Sequence, residues 1–281
     1  MAGRLRDNRI PADIEPSDPV MQTVTAPDGT RTEYETHGNG PPLVLLYGGG
    51  GRRFWDPIVP SFSEDYTVVV PDRRVHDADA STDRYIQREV SDVEALIDAI
   101  DGDPILFGHS FGGLKAIETA RAADVRAAIA YEPAYLVGEY REQADLAAQM
   151  QDRLDAGQPR EAMKLHLKEV IHGGDIEDFD AWLGAWDGWP EAAHQAEHAV
   201  RMDRALEGRE LADPLDVGAP TLLLAGSDGP SHLRDSIRTV HDRLDRSRFV
   251  EFDGLGHLGP VTGAERVTAT VQSFLRTHPD L

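Results

Sequence analysis

The stretch PILFGHSFGGLKA, residues 104–116, constrains this chain more than any other. An apolar run of strand type ends in Gly108-His109-Ser110-Phe111-Gly112, and a helical pattern follows at once. A strand that turns directly into a helix at a Gly-x-Ser-x-Gly segment describes a nucleophile elbow. The turn is so tight that side chains two residues before and after the serine would collide, and glycine stands at both positions. The helix beginning at the serine turns its N-terminal dipole toward developing negative charge, and the backbone N–H of Phe111 points at the same place. The competing reading is a glycine-rich turn with an incidental serine. The strand before the motif and the helix after it favour the elbow.

A serine hydroxyl is a weak nucleophile near neutral pH and needs a base, which in turn needs an orienting acid. For an elbow of this kind the chain order is serine, acid, histidine. PTLLLAGSDGP (220–230) ends a strand and puts Asp228 in the following loop, and FVEFDGLGHLGP (249–260) puts His257 in a glycine-rich loop after another strand. The expected triad is therefore Ser110, Asp228 and His257. Asp253 and Glu132, the latter at the strand end YEPAY, are the competing carboxylates. His109 lies inside the elbow, at its variable position. His194 and His198 have i, i+4 spacing but no evident third ligand, so no metal is expected.

The rest of the chain supplies a frame for such a site. PPLVLLY (41–47), YTVVVP (66–71), VRAAIAY (125–131) and SRFVEF (247–252) read as further strands, and MQTVTAPDGTRTEYET (21–36) reads as a hairpin about Asp28-Gly29. Continuous apolar strands indicate a parallel sheet covered on both faces. Helical stripes fall between them at 83–100, 111–123, 231–244 and 262–277. The expected fold class is α/β, a doubly wound, mostly parallel sheet. Residues 134–213 show no convincing strand and read as a helical cap inserted between 20–133 and 214–281, with 1–19 as a flexible tail. Trp182 and Trp186 share a helix face in that cap and, with Trp189, Tyr135 and Phe179 nearby, are candidates to line an apolar pocket. The competing reading is that they pack the cap onto the core.

Composition narrows the partners. The net charge of −22 opposes nucleic acid and anionic membrane surfaces. No apolar run approaches the roughly 20 residues that span a bilayer, and the start has no secretory pattern. There are no cysteines, which excludes thiolate metal sites and cysteine nucleophiles. A cytoplasmic location is expected. Only Lys115, Lys164 and Lys168 are lysines among the 28 basic residues. That acidic, lysine-poor balance points to a salt-loving source, with a GC-rich genome as the plainer explanation of the arginines.

LLYGGGG, WDPIVP, VVVPDRR, GHSFGG, LLLAGSD and GHLGP stand in the order and spacing of the α/β-hydrolase superfamily. Over most of residues 21–278 the chain resembles its capped, single-domain branch. The resemblance implies Ser110 as nucleophile, Asp228 as acid, His257 as base, and oxyanion N–H groups from Phe111 and Gly49, with Gly50 beside them. It implies no cofactor. Two departures stand out. Tyr47 replaces the usual histidine before Gly48, and Arg74-Val75-His76-Asp77-Ala78-Asp79 lacks the two glycines of the usual loop. Both fall near the mouth of the site, where Tyr47 and Gly50 are candidate substrate contacts. The implied activity is hydrolysis of a carboxylic ester or lactone, a medium-sized apolar or aromatic one, by a monomer or homodimer. A non-hydrolytic binding or regulatory protein is the competing class, motivated by the departures. C–C bond hydrolysis and cofactor-free peroxidase-like activity use the same triad, whereas dehalogenase and epoxide hydrolase relatives carry an aspartate in the elbow.

Overall fold

The structure is a computed structural model and describes residues 19–74, 84–172, 178–186 and 189–277. The loop at Val75–Asp79 and most of the N-terminal segment lie outside the described residues.

Asp28-Gly29 makes the expected hairpin. β1 (Val20–Thr25) and β2 (Arg31–His37) pair antiparallel, and Gly29 takes φ +87, a left-handed conformation that glycine adopts without strain. Then come β3 (Pro42–Leu46), α1 (Val59–Phe62), β4 (Thr67–Pro71) and α2 (Tyr85–Ala99). β5 (Ile105–His109) leads through Ser110 into α3 (Phe111–Ala122), followed by β6 (Ala127–Tyr131). Between β6 and the next strand the described residues form only helices: α4 (Gly138–Glu142), α5 (Leu146–Asp155), α6 (Pro159–His172), α7 (Phe179–Ala185), α8 (Trp189–Ala192) and α9 (Ala196–Glu207), with one short 3-10 turn. β7 (Thr221–Gly226), α10 (Ser231–Asp242), β8 (Ser247–Phe252), α11 (Gly259–Thr262) and α12 (Ala264–Arg276) complete the fold.

The eight strands form one sheet in the order β1-β2-β4-β3-β5-β6-β7-β8. β3 to β8 are parallel, and only the β1–β2 and β2–β4 pairings are antiparallel. The continuous apolar runs are explained by burial on both faces. Along β5, β6 and β7, side chains alternate between two cores. Phe107, Ile129, Leu222 and Leu224 pack with Trp55, Phe62 and α12 residues Val267, Val271 and Phe274. Ala128, Ala130, Leu223 and Ala225 pack with Leu114 and Ile117 of α3 and Ile237 and Val240 of α10. Each fully buried leucine or isoleucine contributes about 1.5–3 kcal/mol. This doubly covered centre fixes the carboxyl ends of β5 to β8 beside one another, where the loops carrying Ser110, Glu132, Asp228 and His257 begin.

The tryptophans of the helical segment serve its own packing. Trp182 and Trp186 lie against a cluster of Met150, Met163, Leu167, Leu183 and Val200. Trp182 stacks on Phe179 at 5.7 Å and meets the His172 ring edge-on at 4.8 Å.

Candidate active site

At the elbow, Ser110 has φ 56 and ψ −123, a conformation that costs a non-glycine residue about 1–3 kcal/mol. A Cβ on Gly108 would overlap the Gly112 carbonyl, and one on Gly112 would overlap the Leu46 carbonyl. That crowding is why glycine occupies both positions. The strain is held by backbone bonds to the neighbouring strand: Ser110 N donates to Tyr131 O (3.0 Å), and Ala134 N donates to Ser110 O (3.1 Å). Phe111, buried at the start of α3, borders a cavity of about 470 Å³ together with Ser110.

His257 is buried in the loop after β8. Its position is fixed from both sides. His109 Nε2 donates to the His257 carbonyl (2.8 Å), and Tyr131 Oη donates to the Gly256 carbonyl (2.8 Å). Phe54 stacks on the His109 ring at 4.3 Å, and burial holds His109 uncharged, far below the ordinary histidine range. The variable position of the elbow thus supports the histidine loop.

The carboxylate facing His257 is Glu132, not Asp228. Glu132 Oε2 accepts from His257 Nδ1 at 2.7 Å, with both side chains essentially inaccessible to water. Glu132 follows β6 and takes φ 42, the second strained non-glycine residue of the site. Its other oxygen, Oε1, accepts from Gly226 N at 2.9 Å. A Cβ on Gly229 would strike that carboxylate. The 226–229 loop is therefore shaped around the Glu132 side chain. Asp228 of that loop is exposed, and its Oδ1 accepts from its neighbour Ser227 Oγ at 2.8 Å. β7 separates β6 from β8, so a carboxylate leaving β6 must reach past the tip of β7, a span that suits glutamate better than the shorter aspartate. Burial pushes the Glu132 carboxyl up to about 7, opposed by its bond from Gly226 N. Burial pushes His257 down to about 3, with the His166 and His172 charges acting in the same direction. Both shifts have one cause, the removal of water from a charged group, and the imidazole rests neutral with its Nδ1 proton on Glu132.

The glycine segment after β3 lies against the elbow. Gly48 packs so closely on the elbow that a Cβ there would lie 2.9 Å from both Phe111 N and Ser110 Cβ. Gly49 and Gly50 follow, exposed, Gly50 with φ +83. Tyr47 points elsewhere than expected: its hydroxyl accepts from Arg73 N at 2.9 Å, beneath the site. Tyr47, Gly50, Trp182 and Trp186 are not part of the cavity wall, for tight packing draws the three aromatic side chains into the core and the helical segment.

The wall is instead mixed. Ala134, Leu136, Leu165, Leu206 and Leu233 supply its apolar part. Facing them are His166, Asp203, Glu169, Tyr140 and His232. His166 Nδ1 is 2.7 Å from Asp203 Oδ2, and Tyr140 Oη donates to Glu169 (2.8 Å) while stacking flat on His232 at 4.1 Å. Burial opposes a charge on His166, but Asp203 outweighs it and raises the imidazole above the ordinary range. Glu132 carried one sequence signal, an acid ending an otherwise apolar buried strand. His166 and Asp203 carried none, since their pairing joins two helices 37 residues apart. Among the described residues, no group of three or more His, Cys, Asp or Glu is placed to hold a metal ion, and no helix is long and apolar enough to cross a membrane.

The chain is similar to known proteins over most of its length. The (E)-2-((N-methylformamido)methylene)succinate hydrolase of Acinetobacter baylyi is 25% identical over 280 residues, covering 92% of this chain and 100% of that protein. A 2-hydroxy-6-oxo-6-(2'-aminophenyl)hexa-2,4-dienoic acid hydrolase of Metapseudomonas resinovorans is 24% identical over 268 residues, covering 90% of each. An alpha/beta hydrolase of Sphaerobacter thermophilus superposes with a TM-score of 0.69 at 26% identity, over 82% of this chain and 91% of that one. The model of the alpha/beta hydrolase family matches residues 36–270. With its parallel sheet, its serine elbow and its buried histidine, the chain belongs to the alpha/beta hydrolase family.

Proposed function

We propose that this hydrolase cleaves a carboxylic ester or lactone through an acyl-enzyme, with Ser110 as nucleophile, His257 as base and Glu132 as the acid. The observations that carry the reading are the buried 2.7 Å bond between Glu132 and His257 and the strained serine that borders the cavity. His257 Nε2 takes the Ser110 Oγ proton as that oxygen attacks the substrate carbonyl. The resulting oxyanion sits on the N–H groups of Phe111 and Gly49. His257 passes the proton to the departing alcohol oxygen, and the acyl–oxygen bond breaks. A water then gives its proton to His257 and attacks the acyl-enzyme, and Ser110 recovers its proton. Glu132 holds the Nδ1 tautomer and offsets the transient imidazolium. A fluorophosphonate probe tests this directly: labelling at Ser110, lost in Ser110→Ala together with p-nitrophenyl ester hydrolysis, is the expected result. Ligand binding without labelling or turnover would favour the binding-protein alternative.

The cavity wall supports a substrate more polar than a plain apolar ester. Its tryptophans are elsewhere, and His166 borders it with Nε2 unpartnered among the described residues. An apolar body fits the leucine side, and an uncharged hydroxyl, keto or amide group fits His166. Asp145, Glu169, Asp203 and Glu207 outnumber Lys168 on the wall and disfavour a carboxylate. In an ester series of equal length, the hydroxy- or keto-substituted members should exceed the plain alkyl members in kcat/KM, and His166→Asn should remove that preference. Equal ratios in wild type and variant would reject the substrate reading. We place the enzyme in the cytoplasm as a monomer or homodimer, which light scattering tests for the assembly.

A further inference from the structure

Arg73 follows the Pro71-Asp72 end of β4, a position the catalytic reading leaves without a task. Its side chain is 9% exposed, and each guanidinium nitrogen has a partner. Nε and Nη2 donate to Glu89 at 3.2 and 2.7 Å, and Nη2 also donates to Tyr85 Oη at 3.0 Å. Nη1 donates to the Gly48 carbonyl at 2.6 Å. The guanidinium carbon lies 4.6 Å from the centroid of the Phe111 ring. The Arg73 backbone is tied down in turn, its N–H donating to Tyr47 Oη at 2.9 Å. Burial opposes the charge, but Glu89 more than compensates and keeps the guanidinium protonated.

The Gly48 carbonyl and the Gly49 N–H belong to one peptide unit. In a trans peptide these groups point in opposite directions. A cation bonded to the carbonyl fixes the plane of the unit and polarises it, so the N–H at the other end becomes a better donor. The same cation lies against the ring of Phe111, whose own N–H begins α3. Both N–H groups named for the oxyanion are thus joined through one buried side chain. The unusual Tyr47 is part of the arrangement, because its hydroxyl anchors the arginine backbone.

We propose that Arg73 is a positioning residue for the oxyanion site, holding the Gly48–Gly49 peptide and Phe111 in a fixed relation, with Tyr47 as its anchor. This rests on the esterase reading above. Its effect falls on the transition state, where the carbonyl oxygen becomes negative, rather than on substrate binding.

The test compares wild type, Arg73→Met and Arg73→Lys with a p-nitrophenyl ester and with a trifluoromethyl ketone, which forms a tetrahedral adduct with the serine. Losing a direct oxyanion donor costs about 10²–10³ in kcat; losing the support of one should cost about 10- to 100-fold in Arg73→Met, with KM within about twofold. Affinity for the ketone should fall by the same factor as kcat. Arg73→Lys, which keeps a cation opposite Glu89 but lacks the fork, is expected to fold and to recover part of the loss. A folded variant, by circular dichroism, with kcat within twofold of wild type overturns the proposal. So does a loss spread equally over KM, kcat and binding of a ground-state product analogue, which is the mark of a structural role. Wild type that neither hydrolyses esters nor reacts with a fluorophosphonate instead overturns the esterase reading, so the two failures are distinct.

Discussion

Glu132 Oε2 and His257 Nδ1 lie 2.7 Å apart, although their residues are 125 positions apart in sequence and leave strands separated by β7. The acid therefore approaches the histidine from β6, over the tip of β7. The loop that would ordinarily carry an acid gives way to it, through the Gly226 N–H and the missing side chain at Gly229.

Glu132→Gln should lower kcat by on the order of 10³–10⁴, because an amide facing Nδ1 favours the wrong imidazole tautomer. Asp228→Asn, at an exposed residue outside this pair, should leave kcat within about twofold. Steady-state kinetics on the two variants decides between the carboxylates. The reverse ranking would return the role to Asp228.

The pH dependence follows from the same burial. Protonating the Glu132–His257 pair removes the base, and burial raises the Glu132 carboxyl to about 7. The kcat/KM profile should thus fall as pH drops through about 7, an apparent value belonging to the pair. A profile flat down to pH 5 would contradict it.

The Glu132 contribution to stability should move the opposite way to activity, while the lowered His257 contributes stability that is lost as pH falls from 6.5 toward about 3. Glu132 rises on folding from 4.5 to about 7, so the native state binds its proton more tightly than the unfolded chain does. That contribution is complete below 4.5 and is lost as pH rises through about 7. Above pH 7 the wild type carries a buried carboxylate, and Glu132→Gln should melt at the same or a higher temperature. Thermal unfolding at pH 5 and pH 8 measures the difference.

Gly229→Ala should reduce kcat by about 10-fold or more, since its Cβ would displace the Glu132 carboxylate by steric overlap. Ala substituted at Gly254, where nothing lies within 4 Å but φ is +73, is the control for a backbone effect.

The charge of −22 predicts a rise in melting temperature and activity from about 0.1 M to molar salt, as screening relieves self-repulsion. A salt optimum near zero would count against a salt-loving source.

Much of the fold was legible because its signals are local. The apolar runs at 42–46, 105–109, 127–131 and 221–226 announce buried strands, and Asp28-Gly29 announces a hairpin. Gly108 and Gly112 mark the elbow through their own crowding. The substrate wall is not legible in the sequence, because Trp182 and Trp186 have the same spacing whether they face a ligand or, as here, their own helices. The role of Tyr47 has no local signal, because its hydroxyl holds Arg73, whose side chain returns to Gly48.

By itself the sequence determined the α/β alternation, the strained serine turn and a histidine in a late glycine-rich loop, since each is written in residues close together along the chain. Only the tertiary structure decided which carboxylate meets that histidine. Asp228 and Glu132 both end buried strands, and nothing local separates them. The choice depends on the order of strands across the sheet and on which side chain fills the space above β7, quantities that exist only once the chain has folded.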